Sequence, residues 1–464
     1  MQPVSPRSGA TPPPPSAIAM LKPLAEPLNV LQLLPDLSHG GAQEGAVEMA
    51  SALSTAGAHA LVASKGGPLL NRLRLGGGEH IPLDLGKSAS PLAYWRAVRA
   101  VRRLIRRNKV KLVHARSRWP SWVAAAACKA EKVPLVTTWH GLHQVRATNG
   151  GLFKRFYNSG LVHADRIITV SKHMQAMIEK AHPDATERLR LIPRGAGSRF
   201  DPVLVTGNRV QALLDAWSLP PDVPVILAPG RLTPWKGQHV LMAALADLVR
   251  RHPEPWYCVL AGPETDPAYA KRLYAMAGKL DKELFSKGTP QQGKTLTLTD
   301  RLRFVGACDD MPAAYVLSTL VVAPSLSPEP FGRVAVEAQF MERMVVASNH
   351  GGFIETILNG ETGLLVPPGD EKALADAISL ILEEVQEEGG LVASLSPPAP
   401  GERPSALVEA GQLARHHAQE HFSTVRMQMQ TLTVYDELLG THLAQRFVKA
   451  LENDLDAGGT WKIT

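Results

Sequence analysis

Cysteine is scarce. Cys128, Cys258 and Cys308 are the three in 464 residues; they lie far apart and form no CxxC pair. That excludes a disulfide framework and a zinc site of the usual spacing, and it fits a reduced, cytoplasmic setting. No apolar run reaches the ~20 residues of a membrane-spanning helix. The GxGxxG fingerprint of a dinucleotide fold is missing. No DxD-type metal site stands out either, because Asp309-Asp310 reads as a helix start. Acidic residues are absent from the whole stretch 96–111.

What is present is ordinary in bulk and unusual in charge. Hydrophobic residues make up 45% and charged residues 20%, the balance of a globular chain, and the length calls for two domains or more. A net charge of +7 and a pI near 9.3 imply an anionic partner: a nucleotide, a membrane surface, an acidic glycolipid or nucleic acid. Residues 1–26, with Pro12 to Pro15, Pro23 and prolines around them, read as a disordered tail rather than a signal peptide.

The chain is organised around Pro324 to Ala338. The buried run Leu320-Val321-Val322-Ala323 predicts a parallel strand; the prolines then break it into a loop that carries Glu329. Gly332 lets the backbone turn, a helix begins near Arg333, and Glu337 falls about one turn into it. One carboxylate in the loop and a second on the helix thus flank free backbone N–H groups, an anion site. That suits hydroxyl-rich groups attached to a phosphate, as in a sugar nucleotide. A glutamate in a first helical turn also simply complements the helix dipole.

Strand-like runs alternate with helical ones from Leu28 to about Ile192, and the pattern restarts at Val225. This predicts an α/β protein of two Rossmann-like, doubly wound parallel sheets. The expected divisions are 27–205, 206–420 and a helical segment 421–464 returning to the first domain. Residues 200–222 read as a connection, 388–406 as a surface loop or insertion, and 407–452 as helical.

Several strand ends carry reactive residues. Gly40 and Gly41 follow the first strand, where backbone could approach a diphosphate or merely turn. Arg116 and Arg118 follow Val110–His114, and His140 ends Leu135–Trp139, at the edge where such sheets place ligands. Arg231 and Lys236 lie in the Gly/Pro loop after Val225–Ala228 and form a fork and a point charge fit for a diphosphate. The basic stretch Arg96–Lys111 reads as a solvated helix face or as a contact for anionic lipid or acidic glycolipid. Its aromatics are limited to Trp95 and nearby Trp119, which argues against nucleic acid.

Together the residues resemble a known family. His39-Gly40-Gly41-Ala42, Trp139-His140-Gly141, Ile192-Pro193-Arg194-Gly195, Gly230-Arg231-Leu232 through Lys236-Gly237, Val305-Gly306, Glu329-Pro330-Phe331-Gly332 through Glu337, and Gly360 to Val366 are similar to the motifs of the GT-B glycosyltransferases. Within these they resemble the retaining enzymes of family GT4, from near Asn29 to about Tyr435. His114 to Arg118, Pro193-Arg194-Gly195 and Asp309 to Pro312 resemble a bacterial subgroup that builds the lipopolysaccharide core. The resemblance implies that Glu337 holds the ribose of a nucleotide-diphospho-sugar and that Glu329 contacts the sugar. Backbone at Phe331, Gly332 and Arg333 would meet sugar and phosphate, and Arg231 and Lys236 would neutralise the diphosphate. Gly40 and Gly41 would press on it, His140 would lie near the sugar 6-position, and Gly306 would border the base. Arg116, Arg118 and Arg194 are the expected contacts to a glycolipid or saccharide acceptor. The resemblance implies no cofactor and no metal. A sugar-nucleotide epimerase and a binder of anionic polymers are the alternatives.

Overall fold

The computed structural model describes residues 28–38, 40–85, 90–141, 159–286, 296–396 and 402–456. The proline-rich tail, His39 and residues 397–401 of the expected insertion lie outside these. Short apolar runs, too brief for helices and rich in Val, Leu and Ile, form two sheets. The first contains β1 (Asn29–Leu33), β2 (His59–Ser64), β3 (Glu79–Pro82), β4 (Val110–Ala115), β5 (Leu135–Trp139), β6 (Arg166–Thr169) and β7 (Leu189–Leu191). The second contains β8 (Val225–Pro229), β9 (Tyr257–Ala261), β10 (Leu302–Gly306), β11 (Leu320–Ala323), β12 (Met344–Ser348) and β13 (Gly363–Val366).

Their orders are β3-β2-β1-β4-β5-β6-β7 and β10-β9-β8-β11-β12-β13, with parallel pairing. Each sheet reverses direction between its first strand and the fourth, β1/β4 and β8/β11. Those switch points are where an open α/β sheet leaves a crevice for ligand. Both faces are covered. Leu31, Leu33 and Val113 face one helical layer, while Val30, Leu112 and Val136 face another with Ala46, Val47 and Ala50 of the helix Gly41–Thr55. This two-sided burial is why the strands read as near-continuous apolar runs.

The chain closes on itself. Ala196 N–H donates to the Phe422 carbonyl at 3.1 Å, and the Thr424 hydroxyl donates to the Ala196 carbonyl at 2.6 Å. A Cβ on Gly195 would stand 2.5 Å from Thr424 backbone, so only glycine fits this crossing. The helix Thr424–Leu439 then lies on the first sheet. Gln428 Nε2 donates to the Glu48 carbonyl at 2.7 Å. Glu437 takes Arg166 and Arg190 at 2.7 and 2.9 Å. Tyr435 is fully buried, its hydroxyl 2.7 Å from Nδ1 of His114, whose Nε2 lies 2.7 Å from the Thr138 hydroxyl.

Four stretches differ from the sequence reading. The connection 200–222 contains the helix Gly207–Trp217. The helix Arg118–Glu131, which the sequence reading did not delimit, follows β4. Pro267–Ser286, for which no element was expected, is a helix that packs Tyr269, Ala270, Leu273, Ala277 and Leu284 inward. The 388–406 stretch holds the helix Leu391–Leu395. The segment 407–452 is helical as expected, divided into three helices. Ser423 breaks it by capping the next start through Arg426 N–H, and Gly440, at φ 62, ends the second. Among the described residues no helix is long and apolar enough to cross a membrane.

Replacing Tyr435 by Phe leaves buried His114 Nδ1 with only the long 3.4 Å contact to Arg116 Nη2, a loss of about 1 kcal/mol. Denaturant unfolding of the variant measures it; unchanged stability would show that the helix Thr424–Leu439 does not depend on this bond.

Candidate active site

At the switch point of the second sheet, two loops are forced together. Gly237 has φ 73, and a Cβ there would sit 1.9 Å from the Pro324 carbonyl oxygen. Only glycine allows that approach. Leu326 N–H donates to the Trp235 carbonyl at 2.8 Å across the same seam. The result is an ion pair between Lys236 Nζ and Glu329 Oε1 at 2.6 Å, with side chains only 17% and 10% exposed. Ser325 Oγ donates to the same oxygen at 2.8 Å. Lys236, Glu329, Ser325, Gly332, Arg333 and Phe353 line a hollow of about 90 Å³.

The helix Arg333–Phe340 starts at Gly332, whose φ of 87 turns the chain; a Cβ there would strike the Phe353 ring at 2.7 Å. One turn along, Glu337 accepts Arg333 Nη2 at 2.9 Å and the Tyr315 hydroxyl at 3.0 Å. Tyr315 is buried, and its hydroxyl pKa is pushed well up by that burial and then by Glu337. Phe331 is 5% exposed with its ring 5.6 Å from Phe422.

The first domain faces this hollow. A Cβ on Gly41 would stand 3.6 Å from Arg333 Cδ, so the glycine turn and Arg333 touch across the cleft. Behind it lies a cluster of buried charge. Arg194 is 4% exposed, its Nη2 3.6 Å from Glu48 Oε2, and its Nε and Nη2 have no hydrogen-bond partner. Burial lowers its pKa to about 10 although Glu48 opposes the shift. Gly45 makes room for it, since a Cβ there would lie 2.0 Å from Arg194 Nη1. Arg116, also 4% exposed, donates through Nε to Gln32 Oε1 at 3.0 Å. His140 Nε2 is buried without a partner. Burial, then Arg194, Arg116 and Arg333, hold its pKa well below the usual range, so the ring is neutral.

The fold therefore brings Lys236, Glu329, Gly332, Arg333 and Glu337 to one end of the second sheet, with Gly41, His140 and Arg194 opposite. Gly40 precedes the helix Gly41–Thr55 as its N-cap. Arg118 is partly exposed at the start of its helix. Arg231 is exposed and outside the lining of the hollow. Gly306, at φ 68, closes β10 with open space around it. The sequence reading missed Ser325, Tyr315 and the acids Glu44 and Glu48. Those two acids had a signal: they sit at i, i+4 among Ala46, Val47, Met49 and Ala50, on a helix face that is otherwise apolar. Tyr315 and Glu337 are far apart in sequence and carried none. Among the described residues no cluster of three or more acids, histidines or cysteines could hold a metal.

Two family models match the chain: Glycosyltransferase Family 4 over residues 39–196 and Glycosyl transferases group 1 over residues 211–388. A phosphatidyl-myo-inositol mannosyltransferase of Mycolicibacterium smegmatis is 28% identical over 77% of this chain and 85% of its own length. The lipopolysaccharide core biosynthesis mannosyltransferase LpcC of Rhizobium leguminosarum bv. viciae is 31% identical over 46% of this chain and 50% of its own. Among solved structures, a glycosyltransferase of Rickettsia africae ESF-5 aligns with TM-score 0.73 at 26% identity, covering 90% of this chain and 100% of that one. HepE of Anabaena shares the fold, with TM-score 0.67 at 22% identity over 88% of this chain and 99% of its own. Two doubly wound domains meeting at their switch points, with these neighbours, define the GT-B class of glycosyltransferase. Within that class, the chain belongs to glycosyltransferase family 4.

His140 and His114 are both held neutral, with folded pKa values below the unfolded value of about 6.5. Below that pH the unfolded chain binds more protons, so the stability they contribute is complete above pH ~6.5 and declines as pH falls through it. Melting temperature should therefore drop between pH 7 and pH 5, and His140→Gln should flatten the drop. An identical slope in parent and variant would mean that His140 takes up its proton without opposing the fold.

Proposed function

We propose that the protein is a retaining, metal-independent hexosyltransferase that moves a hexose from a UDP- or GDP-sugar to a lipid-linked saccharide, with lipopolysaccharide core as the leading acceptor. The Lys236–Glu329 pair, buried at the switch point and facing Gly41 across the cleft, carries this reading. The names of two relatives support it, one a lipopolysaccharide core mannosyltransferase and one a phosphatidyl-myo-inositol mannosyltransferase. Mannose is therefore the first sugar to test.

In this reading residues 206–420 bind the donor and 27–205 the acceptor, while 421–464 ties the two together. The hollow is smaller than the ~300–1,000 Å³ of a typical ligand site, so only part of the donor enters it. Glu329 accepts hydrogen bonds from sugar hydroxyls, and Glu337 accepts them from the ribose. Amides at Phe331, Gly332 and Arg333 hold phosphate at the helix start. Gly40 and Gly41 press backbone onto the diphosphate, Gly306 borders the base, and His140, neutral, lies by the sugar. Arg118 and Arg194 receive the acceptor, with Arg116 adding charge from beneath.

Cleavage of the sugar–phosphate bond builds positive charge on the sugar carbon and negative charge on the leaving diphosphate. Lys236 meets that negative charge directly, and Arg231 closes on it from the rim. As the sugar–phosphate bond breaks, the acceptor oxygen bonds to the sugar carbon on the face the phosphate leaves, and the departing phosphate oxygen takes the acceptor hydroxyl proton, which retains configuration. No carboxylate nucleophile is needed.

The helix Pro91–Arg107 supports a peripheral membrane contact at the inner face of the cytoplasmic membrane. Ala97, Val98, Val101 and Ile105 face inward. Trp95 at 61% and Leu92 at 59% exposure stand out beside Arg96, Arg99 and Arg103. Arg102 and Arg106 are engaged by Glu131 at 2.7 and 2.6 Å. An exposed tryptophan among arginines suits an anionic lipid interface.

Lys236→Ala should lower kcat about 100-fold or more, as loss of such a charge does, and Glu337→Ala should abolish donor use, both with parent-like circular dichroism. Parent-rate transfer by either would refute the assignment. A thermal-shift screen of UDP-, GDP- and ADP-sugars identifies the base, and donor incubated without acceptor separates a transferase from an epimerase. In liposome flotation the parent should rise with anionic vesicles, and Arg99→Glu/Arg103→Glu should not. Equal recovery with neutral and anionic vesicles would remove the membrane contact.

A further inference from the structure

The loop Glu329–Gly332 does not stand alone. Gly352 N–H donates to the Glu329 carbonyl at 2.8 Å. A Cβ on Gly351 would lie 2.7 Å from Glu329 backbone, and one on Gly352 would lie 2.3 Å from the Phe331 carbonyl oxygen. The loop is thus packed backbone to backbone on the turn that opens the helix Phe353–Thr356. Both move as one piece.

That piece reaches the first domain at the start of the helix Lys172–Ala181. Ser171 Oγ accepts from Met174 N–H at 3.1 Å and donates to the Pro330 carbonyl at 2.5 Å. Glu355 accepts from Lys172 N–H through one carboxylate oxygen and from His173 N–H through the other, each at 2.7 Å. A helix leaves its first N–H groups unpaired and concentrates positive charge there. Here two of those groups are paired by a carboxylate from the opposite domain. The first domain's helix is capped in full only while the cleft is closed.

We propose that Glu355 is a positioning residue: it latches the donor loop to the first domain and so sets the fraction of enzyme in the closed arrangement. Nothing in its position brings it to the reacting atoms. It acts through Pro330 and the loop behind it. Its role in catalysis rests on the transferase reading above, whereas the latch itself does not.

Glu355 is partly exposed, so its truncation leaves no buried void. Amide exchange at Lys172 and His173 in the full chain should speed by about tenfold or more in Glu355→Ala, the scale of a lost charge-assisted bond. Glu355→Gln, which keeps one acceptor oxygen, should fall between. Small-angle scattering should give a larger radius of gyration for Glu355→Ala than for the parent. In transfer assays with GDP-mannose or UDP-glucose, whichever the parent uses, kcat should fall about tenfold or more while the donor KM stays near the parent value. Unchanged exchange and an unchanged radius would overturn the latch, whatever the parent's activity. Altered exchange with unchanged kcat would overturn its role in positioning. A parent inactive with every donor would defeat the transferase reading, and exchange and scattering would still decide the latch.

Discussion

A lysine and a glutamate held 2.6 Å apart at the meeting point of two strands are the constraint on which the second domain turns. Neither group is comfortable there alone. A cation or carboxylate taken out of water costs several kcal/mol, and the pair recovers this only with good geometry and further hydrogen bonds. Ser325 supplies one such bond, and the seam at Gly237 and Pro324 supplies the geometry. Such pairs are weak contributors to stability and strong candidates for function. An arriving diphosphate would compete with Glu329 for the lysine, and sugar hydroxyls would replace the lysine as donors to the glutamate. In the proposed reading the pair keeps both groups oriented until that exchange.

The first domain mirrors this economy with an excess of buried cations. Arg116 and Arg194, with Arg333 from the second domain, converge on a neutral His140; Glu48 offsets them in part, at 3.6 Å from Arg194, while Arg333 is paired with Glu337 at 2.9 Å. Arg194 carries two buried nitrogens without partners. Positive charge only partly offset by Glu48 and Glu44 at the end of a sheet draws anions, and here it lies between the glycine turn and Arg333. The helices after Phe422 keep the arrangement in place, since His114 beneath Arg116 is fixed by Tyr435 from the far end of the chain.

Much of this was legible in the sequence, for identifiable reasons. Buried parallel strands leave continuous apolar runs, and glycines at strand ends mark turns, so both sheets and the positions of Gly41, Gly237 and Gly332 could be read. Glu329 and Glu337 share one loop and helix, so their proximity was local information. Lys236 lies 93 residues from Glu329, and only the strand-end logic of the fold joined them. What could not be read depended on contacts with no sequence spacing: Tyr315 on Glu337, Glu48 beside Arg194, Glu355 on a helix start in the other domain. The helix Pro267–Ser286 was missed because nothing in its apolar pattern competes with the stronger strand signals around it. Its inward set keeps the 3.6 period, but Ala270 and Ala277 in that set are weak apolar signals.

The account stands or falls on where an anionic leaving group binds. A crystal structure with the bound nucleoside diphosphate would show it directly. Phosphate oxygens should lie about 3 Å from Lys236 Nζ, against the amides that follow Pro330, with Gly41 closing from the first domain. A diphosphate bound elsewhere, with the Lys236–Glu329 pair undisturbed, would contradict the account.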